Sequence, residues 1–194
     1  MRNVRQNIVS NIRANLRPAL LCLVAMMLVL GVGYTAVMTG VGQAAFHGRA
    51  NGSLITVKLK DGTTRTYGSA LIAQEFTAPQ YLIGRPGGTS NLAPSSGEQA
   101  QVVAQRVAWW HAFDPTNTAP VPEELVTGSG SGVDPGISPA AAQYQVPRVA
   151  AARGMTQQAV EDVIHKYTTG RFLGFIGEPT VNVLKVNLAL DGLI

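Results

Sequence analysis

The chain reads as one membrane-spanning helix followed by a single mixed α+β domain, and three observations predict this. From Pro18 to Gly48 there is no Asp, Glu, Lys or Arg. Beyond that stretch two strand patterns come early and two late, with helical patterns between them. That order suggests α+β and not a doubly wound parallel sheet. The charges are also partitioned. Arg2, Arg5, Arg13 and Arg17 are the only charged side chains before Arg49, so four of the 15 basic residues sit at the N-terminus and the remainder balance the 11 acidic ones. The net charge of +4 is therefore confined to the first 17 residues. A basic chain usually suggests nucleic acid, but no basic face is left for it once this segment is set aside.

The N-terminal segment divides into a basic cytoplasmic stretch (1–17) and a transmembrane helix (18–41). As a helix, residues 18–41 span about 36 Å at ~1.5 Å per residue, enough for a hydrocarbon layer of ~30 Å. A helix satisfies its own backbone hydrogen bonds, which lipid cannot do. Pro18 sits where a first turn tolerates proline. Arginines on one side only set the N-terminus inside and the domain from residue 42 to 194 outside. A cleaved signal peptide ending at Gly42-Gln43-Ala44 is the competing reading. The apolar stretch, however, exceeds the usual 7–15 residue h-region, and Tyr34 suits an interfacial anchor. Cys22 is a small apolar residue of this helix, and Ala36 with Gly40 forms a small-xxx-small pair that could face another helix.

In the outer domain, residues 54–60 alternate apolar and polar side chains, Asp61-Gly62 follows, and residues 63–67 are rich in Thr and aromatic side chains. Asp-Gly between two such runs predicts a hairpin with a two-residue type I′ turn. Residues 69–76 read as a short helical turn, and 84–91 as turns. Ser95 and Ser96 stand three residues before Glu98 and Gln99, the capping-box spacing, so a helix starts there. Val102, Val103, Val107, Trp110 and Phe113 form its apolar stripe. Trp110 lies on that stripe and reads as core, while Trp109 stays open. Ser138-Pro139 reads as N-cap and N1 of a helix that Pro147 breaks or kinks and Gly154 ends. Thr156 caps a helix over 157–167 whose buried face is Val160, Val163, Ile164 and Tyr167, with Gly170 as its C-terminal cap. Residues 172–176 and 180–190 read as strands, the second with Leu184, Val186, Leu188 and Leu190 on one face.

No catalytic, cofactor or metal constellation emerges. One cysteine and three scattered histidines exclude a disulfide framework and a cysteine-based zinc site. The run Gly128-Ser129-Gly130-Ser131-Gly132 lacks the lysine of a phosphate loop and the spacing of a dinucleotide turn. It also fails as a nucleophile elbow, because Gly130 stands where the serine should be. It reads as a loop of positive-φ positions with Asp134-Pro135 setting a turn, shaped to fit a partner surface. Glu123-Glu124 and Glu161-Asp162 are adjacent in sequence, so neither pair shares a site. His165 complements a helix C-terminus. The alternative from another class is a membrane-tethered serine hydrolase using Ser129 or Ser131 with His111 or His165. A third reading, direct ATP binding by the Gly-Ser loop, requires saturable binding to this domain.

Several motifs in fixed order resemble the small C subunit of the Kdp-type potassium-transporting ATPases. They are GSALIAQEF at 68–76, Gly84-Arg85-Pro86, Ser90-Asn91-Leu92-Ala93-Pro94, VPEELVTGSGSGVDP at 121–135, and Ile137-Ser138-Pro139. YQVPRVA at 144–150, Gly177-Glu178-Pro179, Val181-Asn182-Val183-Leu184 and Asn187-Leu188-Ala189-Leu190-Asp191 complete the match. Gly87-Gly88-Thr89 bridges two motifs that the family usually separates further. Gly136 stands where the family has a histidine, which argues against a proton or metal role beside Asp134. The resemblance implies a non-catalytic subunit of an ATP-driven potassium uptake complex in the bacterial inner membrane. Its implied partners are a potassium-binding channel-like subunit, a P-type ATPase subunit and a small membrane peptide. It further implies a catalytic chaperone that raises the ATP affinity of the ATPase subunit. With the domain outside and ATP inside, that effect is expected to be allosteric, the domain capping the outer mouth of the potassium-conducting subunit. The contact surface is expected at Gly128, Ser129, Gly130, Ser131, Gly132 and Asp134, together with Tyr144, Gln145 and Arg148.

Overall fold

The computed structural model describes residues 2–194, with side chains from Ala14 onward; the expectation placed on the side chains of Arg2, Arg5 and Arg13 lies outside them. The chain divides into two units, residues 1–51 and 52–194. The first begins as helix α1 (Arg2–Met26), widens into π-helical turns over Met27–Tyr34, and continues as α2 (Thr35–Ala45) and the short α3 (His47–Ala50). Ala14–Ala45, 32 residues with a mean hydropathy of 2.4, is long and apolar enough to cross a membrane. Its apolar side chains, from Leu16 to Val41, stand exposed, as lipid-facing residues do. Residues 42–50, expected with the outer domain, are helical except at Phe46 and fall in the first unit.

The second unit is a mixed α+β domain. The hairpin β1 (Leu54–Lys58) and β2 (Thr64–Ser69) is antiparallel, with a bulge between Ile55 and Thr56. Its turn differs from the type I′ expectation. Leu59 N–H donates to Thr63 O at 2.8 Å and Gly62 N–H to Leu59 O at 3.0 Å, with φ of 83° at Gly62. This is the three-residue loop in which only glycine takes the left-handed position; Asp61 instead accepts from the Thr63 N–H at 2.9 Å.

Residues 69–76 are not helical. Ser69 Oγ accepts the Leu71 N–H at 3.1 Å and donates to Gly52 O at 2.6 Å. Ala73 N–H reaches Val133 O at 2.8 Å, so the segment is drawn out along the domain. Helix α4 (Gly97–Phe113) starts where Ser96 Oγ accepts the Gln99 N–H at 3.1 Å. A 3₁₀ turn, Glu123–Leu125, precedes β3 (Gly136–Ile137). Ser138 caps α5 (Pro139–Gln143), the chain breaks at Tyr144-Gln145, and Pro147 falls in the first turn of α6 (Val146–Arg153), closed by Gly154 at φ 63°.

Thr156 caps α7 (Gln157–Lys166), which buries Val160 and Ile164. Gly170 is not its cap. Tyr167 closes the helix, and the chain turns at once into β4 (Thr168–Thr169) because Thr168 Oγ1 donates back to Ile164 O at 2.7 Å. The sheet β3-β5-β4 is antiparallel around β5 (Thr180–Asn182), pairing Ile137 and Thr168 with Val181.

Two expected strands are corrected. Residues 172–176 form a tight turn joined by a single bridge, Phe172 to Ile176, because Leu173 and Gly174 take positive φ and end any ladder. Residues 183–190 are helix α8 (Val183–Leu190), not strand. A run this rich in apolar residues, interrupted only by Lys185 and Asn187, does not by itself choose between a period of two and one of 3.6. The decision comes from Asn182, whose Oδ1 caps the Lys185 N–H at 3.0 Å while its Nδ2 donates to Ala70 O at 2.8 Å. The core gathers Leu82, Trp110, Leu125, Ile137, Val149, Val160, Val181 and Val186 between α4, α6, α7, α8 and the three-stranded sheet.

Candidate interaction site

The sequence-flagged residues fall into two groups with different physical roles. Tyr144, Gln145 and Arg148 lie at the break between α5 and α6 and point inward. Gln145 has 0% of its surface exposed. Its amide accepts the Ile83 N–H at 2.8 Å and donates to Ile83 O at 3.0 Å, taking the place of a neighbouring strand. Asn187 on α8 does the same to Leu82, accepting at 2.8 Å and donating at 2.9 Å. Arg148 Nη1 donates to the carbonyls of Pro79 and Tyr81, and its Nη2 to Gln145 Oε1 at 2.7 Å. Arg153 completes the set with Gln80 O at 2.7 Å, Leu190 O at 2.7 Å and Asp191 Oδ1 at 2.8 Å. Segment 79–83 has no ladder partner, and these four side chains serve as one. A buried backbone group left unpaired costs about as much as a lost hydrogen bond, so the chain spends long polar side chains here.

The guanidinium of Arg148 lies 4.9 Å from the Phe113 ring centroid and 5.9 Å from that of Trp110. Burial pulls its pKa down to about 10, against the pull of the Asp114 carboxylate and then of Tyr144. It therefore stays charged at neutral pH, and its role is fixed support. Burial, and then Asp114, pushes the Tyr144 phenol up, with Arg148 opposing.

Residues 128–134 form the second group, on the surface. The loop is held by its own serines: Ser129 Oγ and Ser131 Oγ lie 3.3 Å apart, Val133 N–H donates to Ser131 Oγ at 3.2 Å, and Asp134 N–H to Ser129 Oγ at 3.4 Å. Asp134 Oδ1 in turn accepts the Gly136 N–H at 2.9 Å. Among the described residues neither serine hydroxyl is hydrogen-bonded to a histidine, and His111 and His165 are both exposed, so the hydrolase geometry is not assembled.

The glycines of this loop are not equivalent. Gly132 is buried at φ 71°, and a Cβ there would stand 2.9 Å from the backbone carbon of Gly88. Gly88 N–H donates to Gly132 O at 3.0 Å, so the Gly87-Gly88-Thr89 bridge packs directly on the Gly-Ser loop. Gly130 has open space around it and an ordinary φ. Gly132→Ala is expected to lower stability by about 2 kcal/mol, from the left-handed backbone and the overlap together, while Gly130→Ala stays within ~0.5 kcal/mol. Thermal melts of the two variants check this. At Gly136 a Cβ would overlap Thr180 Cγ2 across the β3–β5 pair, so in this fold the space beside Asp134 is already filled.

Sequence reasoning did not find the cleft beside the loop. About 590 Å³ in volume, it is lined by Phe76, Arg85, Arg106, Trp109, Val133 and the backbone of Gly132. Arg85 donates to Gly128 O at 3.2 Å and lies 3.7 Å from Glu124, whose Oε2 accepts the Ser138 N–H at 2.6 Å. Arg106 donates to Val126 O at 2.9 Å. Both arginines thus hold the loop's approach from below. Trp109 is 45% exposed and stacks on Phe113 with ring centroids 4.7 Å apart. The one signal available was its place next to the apolar stripe of α4.

Among known proteins, the family model for the c chain of the K⁺-transporting ATPase, KdpC, matches residues 16–192. The chain belongs to the KdpC family. The potassium-transporting ATPase KdpC subunit of Listeria monocytogenes serotype 4a (strain HCC23) is 53% identical over 180 residues, covering 91% of this chain and 95% of its own. Those of Methylococcus capsulatus and Sorangium cellulosum are 48% and 47% identical over 189 and 191 residues, each covering more than nine-tenths of both chains. As a KdpC chain it is a subunit of a potassium-transporting ATPase, an accessory part of a potassium uptake complex with one candidate membrane span.

Proposed function

We propose that this chain is a non-catalytic subunit whose domain lies outside the inner membrane and caps the outer mouth of the potassium-conducting subunit. The 128–134 loop and the adjoining cleft form the docking face in this reading, and Tyr144, Gln145 and Arg148 support it from within. The observation that carries it is the loop itself, a glycine-locked rim beside an exposed tryptophan with its hydroxyls engaged by its own backbone. Any effect on the ATPase subunit then crosses the membrane as a coupling free energy between separate sites.

Orientation is tested first. Ser131→Cys in a Cys22→Ser background should react with a membrane-impermeant maleimide in intact cells; labelling only after permeabilisation places the domain inside and refutes the proposal. Affinity purification through a C-terminal tag from potassium-starved cells should bring down the P-type ATPase and the potassium-binding subunit. In the purified complex, omission of the chain should raise the half-saturating ATP concentration roughly fivefold or more.

A further inference from the structure

Three polar atoms around the Trp110 cluster are buried and make no hydrogen bond among the described residues: Asp114 Oδ2, Tyr144 Oη and Arg148 Nε. Their residues are 5%, 9% and 8% exposed. The other polar atoms of the two charged side chains are engaged. Asp114 Oδ1 accepts the Thr116 hydroxyl at 3.0 Å, and both Nη atoms of Arg148 donate to carbonyl oxygens. The free set is therefore one carboxylate acceptor, one hydroxyl and one N–H donor. These side chains gather at one place. Asp114 directly follows Phe113, and the Arg148 guanidinium lies 4.9 Å from that ring. Tyr144 and Arg148 stand four residues apart across the break between α5 and α6, where Tyr144 and Gln145 keep helical dihedrals, so both project from one side. Asn117 fastens the two halves, its N–H donating to Asp114 O at 3.1 Å and its Nδ2 to Tyr144 O at 2.9 Å.

We infer that Asp114, Tyr144 and Arg148 form a buried binding site for one water molecule. The water accepts the Arg148 Nε–H and the Tyr144 O–H on its two lone pairs and donates a hydrogen to Asp114 Oδ2. Three hydrogen bonds are the usual complement of a buried water. The Asp114 carboxylate acts on both neighbours, helping Arg148 to keep its charge and Tyr144 its proton. Yet no Asp114 oxygen comes within the 4.0 Å of an ion pair to Arg148, and none accepts the Tyr144 hydroxyl. A bridging molecule reconciles the two facts. A buried polar atom left bare costs free energy, and a charged group more, so three in one place call for a shared partner. The charges of Asp114 and Arg148 oppose each other, which selects a neutral ligand over an ion. One acceptor beside two donors matches water, which offers both functions. The site joins the C-terminal end of α4 to the start of α6, from which Arg148 and Gln145 reach segment 79–83. It goes beyond the accessory-subunit reading and does not depend on it.

The test uses the full, isotope-labelled chain in detergent micelles. The Arg148 Nε–H resonance should show an Overhauser cross-peak at the water frequency, with opposite signs in the laboratory and rotating frames, the mark of a long-lived water and not of proton exchange. The peak should persist in Tyr144→Phe, which keeps the ring and removes the neighbouring exchangeable hydroxyl. A structure of the chain at a resolution that shows ordered water should place density within about 2.7–3.2 Å of all three atoms. Absence of the cross-peak, or its loss in Tyr144→Phe, overturns the inference. So does density that runs directly from Arg148 Nε to Asp114 at ion-pair distance, which would mean that the two charges close on each other without a bridge.

Discussion

Asn187→Leu is expected to lower the stability of the domain by about 4 kcal/mol, the sum of two orphaned backbone groups. Leucine keeps the volume, so the loss isolates the polar clamp. Asn187 is fully buried, and its amide is the partner given to both the N–H and the C=O of Leu82, itself buried. Each orphaned backbone group costs ~1–3 kcal/mol, and Leu82 is itself 0% exposed. The melting temperature of the full chain in detergent should fall by roughly 10–15 °C. A drop smaller than about 1 kcal/mol would mean that Gln145, Arg148 and Arg153 hold segment 79–83 without it. Gln145→Leu, which removes the matching clamp from Ile83, should show a comparable loss, and the two together less than their sum, because they hold adjacent residues.

Trp110→Ala should cost about 3–5 kcal/mol, and Trp109→Ala under ~1 kcal/mol. Trp110 is 1% exposed, donates its indole N–H to Leu125 O at 3.0 Å, and meets Tyr144 edge-on with centroids 5.8 Å apart. Removing it opens a cavity under the 3₁₀ turn that leads into the 128–134 loop and strips Arg148 of one aromatic face. The converse is expected at Trp109. Its loss should leave the melt nearly unchanged but weaken recovery of partner subunits, because it lines the cleft. Equal melting losses at the two positions would contradict the division between core and docking face.

Two adjacent tryptophans show how much the amino-acid order conveys: the three- and four-residue spacing from Val103 to Phe113 was enough to send one inward. Caps were legible in the same way. Ser96, Ser138 and Thr156 each accept the N–H three residues on, since a short hydroxyl at a helix start has few other partners. The membrane span was legible because lipid demands an unbroken apolar run and nothing else in the chain resembles one. The run at 128–134 was legible as a surface loop but not in its backbone: several positive-φ positions were expected, and only Gly132 takes one, because there the chain packs against Gly88.

Helix α8 was not legible. Its residues are apolar apart from Lys185 and Asn187, a pattern that either period can hold; the helix starts at Asn182, whose Oδ1 accepts the Lys185 N–H while its Nδ2 donates to Ala70 O. The clamp on segment 79–83 was hidden for a related reason. Gln145, Asn187, Arg148 and Arg153 have no common spacing, and their partners are backbone atoms that carry no residue identity. The cleft, too, draws its walls from four separate stretches of chain. Local order thus determined the span, the hydroxyl N-caps and the pairing of the hairpin's two strands, where the relevant energies act within a few residues. Tertiary structure alone decided which buried backbone would lack a ladder, which amides would serve in its place, and which apolar side chains, Phe172 and Phe175 foremost, would be left exposed.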